Sequence, residues 1–238
     1  MSIAEKLITI AENEQKVYDA GKQAEAKRFW TTYQQSGNRT YCAHMFGGSG
    51  WNNTTFRPMY DIKPKDSAYM MFRDSAMTDI YGRLEELGLT LDFSNCQNMQ
   101  YALNQGNITR IGTVSIVSAT NLDYAFYAAS KVTTIDKLIV KDNGATSFSS
   151  TMFGAMNALK EIRFEGTIGR SITFPNSPLS VASMVDIINH LANYYGTSNE
   201  GKYKVTFTSA CWTALEATTP PEGFDTWKQY VSSLGWTF

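Results

Sequence analysis

The sequence predicts an α+β protein whose middle part is an irregular solenoid, preceded by an N-terminal helix and closed by an α/β cap at the C-terminal end. The main observation is a short phrase that recurs four times within residues 68–176: a bulky pair, a polar gap, a hydrophobic residue, two mostly polar residues and Ile. The closing isoleucines are 31, 24 and 27 residues apart, a period typical of stacked repeats. The bulky pairs and their isoleucines are Met71-Phe72 with Ile80, Ala102-Leu103 with Ile111, Ala125-Phe126 with Ile135, and Met152-Phe153 with Ile162.

Residues 1–35 are predicted to form one amphipathic helix. Ser2 with Glu5 three residues later is the pattern of a capping box. Partial heptad spacing on its apolar stripe favours an oligomerisation or attachment stalk, and packing on the helix's own domain is the alternative. The candidate oligomerisation residues on this stripe are Ile3, Leu7, Ile10 and Val17.

Residues 36–67 are predicted to be a loop-rich cap over the first repeat. The glycine cluster at 47–50 is not followed by the Lys and Ser or Thr of a phosphate-binding loop, so no nucleotide is expected there. Apolar residues in this segment would cover the open end of the repeats. They are Trp51, Phe56, Met59 and Tyr60.

Extended segments with period-two alternation follow the closing isoleucines, and this pattern predicts strands. An insertion in the first repeat, Arg83–Leu87, predicts one short helix. Asparagines fall between the segments, where turns are expected. The predicted strands are Leu89–Phe93, Thr113–Val117, Lys137–Val140, Ile162–Glu165 and Ile172–Phe174.

Residues 177–238 are predicted to close the other end of the core. An apolar face at helical spacing predicts a helix over 181–193, and a strand is expected over 204–208. Trp212 and Trp227 are expected in one or two short helices, with Pro220-Pro221 as the separator.

Charge and hydropathy exclude several functions. The net charge is −1, so there is no electrostatic footprint for nucleic acid. No apolar run approaches 18 residues, so membrane insertion is not expected. The first residues lack the apolar core of a secretory signal peptide.

No motif for catalysis, metal binding or a cofactor is present, and none of these is expected. Three scattered cysteines, Cys42, Cys96 and Cys211, are predicted to be buried free thiols. His190 is predicted to be a structural or surface histidine.

Two carboxylate pairs are the candidates for glycoside hydrolysis if the fold brings them together: Asp61 with Asp66, and Glu161 with Glu165. Alternation places Glu161 and Glu165 on one strand face, where solvated charge is the alternative.

The recurring phrase with its strand resembles the BspA-like leucine-rich repeats of bacteria and their phages. The best matches are Phe126 with Val132–Val140, and Phe153 with Leu159–Phe164. The opening helix and the C-terminal order of elements resemble phage and prophage tail-associated proteins of gut Firmicutes. This resemblance implies a leucine-rich-repeat fold and a tail-associated or receptor-binding role.

Four tyrosines lie beside the bulky positions and are the candidate ligand-binding residues. A tyrosine offers a rigid ring with a polar tip, which suits contacts with protein or carbohydrate. A role as partly buried spacers between repeats is the alternative. These residues are Tyr69, Tyr101, Tyr124 and Tyr127.

The sequence and the resemblance together predict a non-enzymatic virion protein of a phage or prophage, assembled in the bacterial cytoplasm. Its repeats would bind a host-surface protein or glycan. Its N-terminal helix would contact other tail proteins or form a homotrimer. Two alternatives stay open: an intracellular protein-binding or regulatory module in the host cytoplasm, and a carbohydrate-active enzyme.

Overall fold

A computed structural model describes most of the chain after the predicted N-terminal helix. That helix, with its four candidate oligomerisation residues, lies outside the described part, as does Cys42. The described residues are 45–47, 52–53, 56, 58, 61–104 and 107–238.

Four helices and five strands occur in the described part of the chain. The predicted insertion helix is confirmed, the helix predicted over 181–193 and the strand predicted over 204–208 are present but shorter, and two short helices follow. In chain order the elements are α1 (Ile80–Glu86), β1 (Arg110–Ser115), β2 (Thr134–Ile139), β3 (Glu161–Glu165), β4 (Ile172–Thr173), α2 (Val181–Asn189), β5 (Val205–Thr206), α3 (Ser209–Glu216) and α4 (Trp227–Ser233).

The fold is mixed α/β with two small parallel sheets, and the predicted solenoid is wrong. β1, β2 and β3 form one sheet in that order, whereas β4 pairs only with β5 in a second sheet. The predicted strand Leu89–Phe93 does not form, because only Leu91 makes an isolated bridge, to Ile62. A continuous solenoid would need strand pairing to pass from each segment to the next, and here the pairing stops on both sides of the central sheet.

Helix α1 packs against β1, and the central sheet ends at this edge. Asp79 caps this helix, since its side chain accepts a hydrogen bond from the N–H of Gly82 at 2.7 Å. The ring of Tyr81 then packs on Gly112 in β1, where a Cβ atom would lie 2.4 Å from Tyr81 Cδ1. Glycine at this position therefore lets a helix pack where a further strand was predicted.

Helix α2 ends the same sheet on the side of β3. The N–H of Ile162 donates to Ser183 Oγ at 3.0 Å, and the N–H of Phe164 donates to Asp186 Oδ2 at 2.8 Å. Ser183 and Asp186 are three residues apart and so share one face of the helix. Their side chains satisfy the edge groups that a neighbouring strand would otherwise pair, and β3 is therefore the last strand of the sheet.

The recurring phrase forms the core. Every bulky pair and every closing isoleucine is fully buried. The rings of Phe126 and Phe153 lie 5.7 Å apart, and Phe174 continues this column of aromatic contacts at 4.5 Å from Phe153. Cys96 and Cys211 are both buried, as predicted.

One carboxylate joins the two C-terminal helices. The N–H groups of Trp227 and Lys228, at the start of α4, donate to Glu216 at 3.0 Å each. A carboxylate at the positive end of a helix is stabilising. Glu216, the last residue of α3, thus fixes the position of α4.

Tyr81 is a buried polar group without a partner. Its hydroxyl makes no hydrogen bond to any residue that the structure describes. Burial raises the pKa of Tyr81 strongly, and the negative charge of Asp136 raises it further.

We expect Ser183→Ala to lower the free energy of unfolding by about 1–3 kcal/mol, because it leaves the buried N–H of Ile162 without an acceptor. Urea denaturation measures this loss. Ala182→Ser, on the exposed side of the same helix, is the matched control and should stay within about 0.5 kcal/mol of the unchanged protein. Equal stability of the Ser183→Ala variant and the unchanged protein would show that α2 does not cap β3.

We expect Tyr81 to make the protein less stable at high pH. The unfolded chain releases this proton near pH 10.0, whereas the folded chain retains it. The stability that Tyr81 supplies is therefore complete below pH 10.0 and falls above it, by about 1.4 kcal/mol per pH unit. Urea denaturation between about pH 9 and pH 11 should show a shallower loss for Tyr81→Phe. Tyr195→Phe, at a side chain that is 69% exposed, should leave the slope unchanged.

Candidate functional site

Two turns hold tyrosines in a fixed backbone conformation. Tyr101 and Tyr124 each precede the buried bulky residue of their phrase by two positions, and their φ angles are +57° and +56°. This left-handed conformation costs a residue with a Cβ atom about 1–2 kcal/mol. The side-chain oxygens of Asn98 and Asn121 stabilise the two turns, since each accepts a hydrogen bond at 3.0 Å from the N–H two residues later.

The four tyrosines predicted to bind a ligand lie in one row, which we call the tyrosine row: Tyr69, Tyr101, Tyr124 and Tyr127. The rings of Tyr101 and Tyr124 are stacked, with centroids 4.8 Å apart and planes within 2° of parallel. Tyr69 meets Tyr101 nearly perpendicularly at 6.3 Å, and Tyr127 meets Tyr124 in the same way at 5.2 Å. The stacking distance equals the usual spacing of paired strands. It arises because the N–H of Tyr101 donates to the carbonyl of Asp123 in the next turn at 3.1 Å.

Two further residues complete the row, and sequence reasoning missed both. The guanidinium of Arg73 lies over the ring of Tyr101, with Cζ 5.1 Å from the ring centroid. Gly154 lies against Tyr127, where a Cβ atom would be 2.7 Å from Tyr127 Cδ2. Arg73 and Gly154 each follow directly after the bulky residue of their phrase, as Tyr127 does. Alignment of the four phrases was therefore the signal that could have identified them.

The polar tips of the row are available to a partner. Tyr127 is 36% exposed, and the other three tyrosines are half-buried. Among the described residues, the hydroxyl groups of Tyr101, Tyr124 and Tyr127 have no hydrogen-bond partner. Tyr101, Tyr124 and Tyr127 therefore present rings fixed by their neighbours together with hydroxyl groups that no described residue binds.

Charged groups beside the row nearly balance. Arg73 Nε lies 3.3 Å from the carboxylate of Asp74, which is largely exposed. Asp123, directly before Tyr124, is also exposed. One guanidinium and two carboxylates leave this surface slightly acidic.

The first carboxylate pair proposed for hydrolysis contains a residue with a structural role. Asp61 accepts hydrogen bonds from Lys63 and from the N–H of Thr90, at 2.8 and 2.9 Å. The hydrogen bond from Lys63, followed by that from Thr90, lowers the pKa of Asp61. A general acid needs the opposite shift. Asp66, the other member of the pair, is exposed.

The second carboxylate pair is divided between two structural contacts. Glu161 accepts a hydrogen bond from Ser183 Oγ at 3.1 Å. Glu165 forms an ion pair with Lys137 of β2 at 2.8 Å, with both side chains about half exposed. Each carboxylate thus stabilises the packing around β3.

His190 has the structural position that was predicted for it. It follows the last residue of α2, and its Nδ1 lies 2.7 Å from the carbonyl oxygen of Asp186. Within the part of the chain that the structure describes, no three His, Cys, Asp or Glu side chains cluster as metal ligands would. The described helices are all too short or too polar to cross a membrane.

Comparison with known proteins identifies no family for this chain. No protein-family model, curated protein or solved structure matches it. The resemblance to BspA-like and phage tail-associated proteins therefore stays a prediction.

We expect Gly154→Ala to destabilise the protein by about 1–3 kcal/mol, because the new methyl group collides with the ring of Tyr127. The φ angle of Gly154 is not in the left-handed region, so the backbone tolerates alanine. In a Tyr127→Ala background the same change should be neutral or slightly stabilising. A double-mutant cycle measured by urea denaturation tests this. An equal cost in both backgrounds would mean that Tyr127 is not seated on Gly154.

Proposed function

We propose that this protein is a non-enzymatic, tail-associated virion protein of a phage or prophage that binds a host-surface protein or glycan through the tyrosine row. The observation that carries the proposal is the parallel stack of Tyr101 and Tyr124, extended at its two ends by Tyr69 and Tyr127. The end members of the row, Tyr69 and Tyr127, are 58 positions apart in sequence, and yet the four tyrosines contact one another in one row.

The physical support for binding is preorganisation. Binding costs less when the contact groups are already ordered, because little side-chain entropy is lost on association. Here the left-handed turns fix the backbone of Tyr101 and Tyr124, and ring contacts restrict the side chains. Tyrosine also supplies a large contact area with only two side-chain torsions, which explains its frequent use in binding surfaces.

Support for the virion assignment comes from the sequence. The first and last parts of the chain resemble phage and prophage tail-associated proteins, and the N-terminal residues have the spacing of an attachment helix. In this proposal the N-terminal helix joins the protein to other tail proteins or to further copies of itself as a homotrimer. The described region then carries the surface that meets the host.

We expect the double variant Tyr101→Ser/Tyr124→Ser to lose at least tenfold in affinity for host cells, because buried interface tyrosines commonly contribute more than about 1 kcal/mol each. Flow cytometry with labelled full-length protein and intact Gram-positive cells measures this affinity. Tyr195→Ser removes an equally polar and more exposed ring outside the row, and it should bind as the unchanged protein does.

Mass spectrometry of purified virions provides an independent test of the location. The chain should be present in particles in a fixed ratio to the tail proteins. Absence from particles, together with recovery of one host cytosolic partner, would instead favour the intracellular regulatory module. Release of sugars from host-surface glycans by the purified protein would favour the carbohydrate-active enzyme.

A further inference from the structure

We infer that the tyrosine row binds a polypeptide through its hydroxyl groups and ring edges, and not a glycan through its ring faces. This inference rests on the function proposed above, in which the row is the binding surface. It selects one partner class from the two that the proposal leaves open.

Both ring faces of Tyr101 and one ring face of Tyr124 are already covered. One face of Tyr101 and one face of Tyr124 lie against each other at 4.8 Å. Because Tyr124 occupies the first face of Tyr101, the Arg73 guanidinium at 5.1 Å takes the second. An aromatic ring holds a sugar by packing its electron-rich face against the sugar's C–H groups. Tyr101 has no open face for that contact.

The hydroxyl groups and ring edges remain open. The hydroxyls of Tyr101, Tyr124 and Tyr127 have no hydrogen-bond partner among the described residues. The edge of an aromatic ring is its electropositive part, so edges and hydroxyl hydrogens both attract acceptor oxygens. A hydroxyl donor beside a positive ring edge is matched by the carbonyl groups of a polypeptide.

Charge and spacing favour a neutral polypeptide surface. Asp74 and Asp123 outnumber the single guanidinium of Arg73, and they disfavour an anionic polymer. The 4.8 Å step between Tyr101 and Tyr124 also equals the spacing of neighbouring strands. Equivalent groups on two adjacent strands of a partner's sheet therefore match the two stacked tyrosines.

The test uses Tyr101→Phe/Tyr124→Phe, which keeps both rings and removes both hydroxyls. Loss of two neutral hydrogen bonds should weaken cell binding by about tenfold to a hundredfold. The probes are three samples of the same intact Gram-positive cells: untreated, treated with protease to remove surface protein, and treated with periodate to oxidise surface glycans. Tyr195→Phe is the matched control, and far-ultraviolet circular dichroism establishes that each variant is folded.

The expected result is weaker binding of the phenylalanine variant, loss of binding to protease-treated cells and unchanged binding to periodate-treated cells. Binding of the phenylalanine variant at full strength, while the serine variant fails to bind, would overturn the hydroxyl mechanism and leave the proposed function standing. Loss of binding after periodate but not after protease would overturn the choice of a polypeptide. Full binding by both double variants would contradict the proposed function itself, and the inference with it.

Discussion

Backbone hydrogen bonds between successive turns set the spacing on which the other contacts depend. The N–H of Ala68 donates to the carbonyl of Asn98 at 2.8 Å, and the N–H of Met99 donates to the carbonyl of Asn121 at 2.9 Å. Parallel pairing of this kind places corresponding residues of adjacent turns about 4.8 Å apart. On the inner side it brings bulky residues into contact and forms the core. On the outer side it brings Tyr101 and Tyr124 into a parallel stack.

Turn-to-turn pairing does not by itself decide how far a sheet extends. The central sheet has three strands because a helix packs at each of its two edges. At β1 the closing contact is a ring against a glycine, Tyr81 on Gly112. At β3 it consists of two hydrogen bonds from the strand to Ser183 and Asp186. At both edges, side chains take the place that another strand would have in a solenoid. Backbone pairing between neighbouring turns is therefore kept, although the sheet is not continuous.

The sequence was sufficient to predict the core positions. Each phrase has its own pattern of apolar residues, and that pattern alone indicates which of them are buried. It was not sufficient to predict the extent of the sheet. The groups that satisfy Ile162 and Phe164 come from a helix about twenty residues later, and nothing in the amphipathic pattern of that helix indicates that Ser183 and Asp186 face a strand edge. The resemblance to leucine-rich repeats led to the same error. It rests on the recurring phrase, which says nothing about the contacts that end the sheet at its two edges.

The tyrosine row shows the same division between local and non-local information. Its four members could be selected by residue type and position, yet their mutual geometry depends on their different offsets from the bulky residue. Tyr101 and Tyr124 share an offset and therefore stack, whereas Tyr69 stands one residue earlier in its phrase and meets its neighbour nearly perpendicularly. Only the structure shows that both ring faces of Tyr101 are covered.

The position directly after the bulky residue has a different chemistry in each of the four phrases. It holds Arg73, Asn104, Tyr127 and Gly154 in the four successive phrases. Arg73 covers the ring of Tyr101, and Gly154 makes room for the ring of Tyr127. The core constrains the recurring residues to be apolar and bulky, whereas this neighbouring position differs in size, charge and polarity from one phrase to the next. We therefore propose that the residues that differ between phrases select the partner, and that the recurring residues supply the spacing.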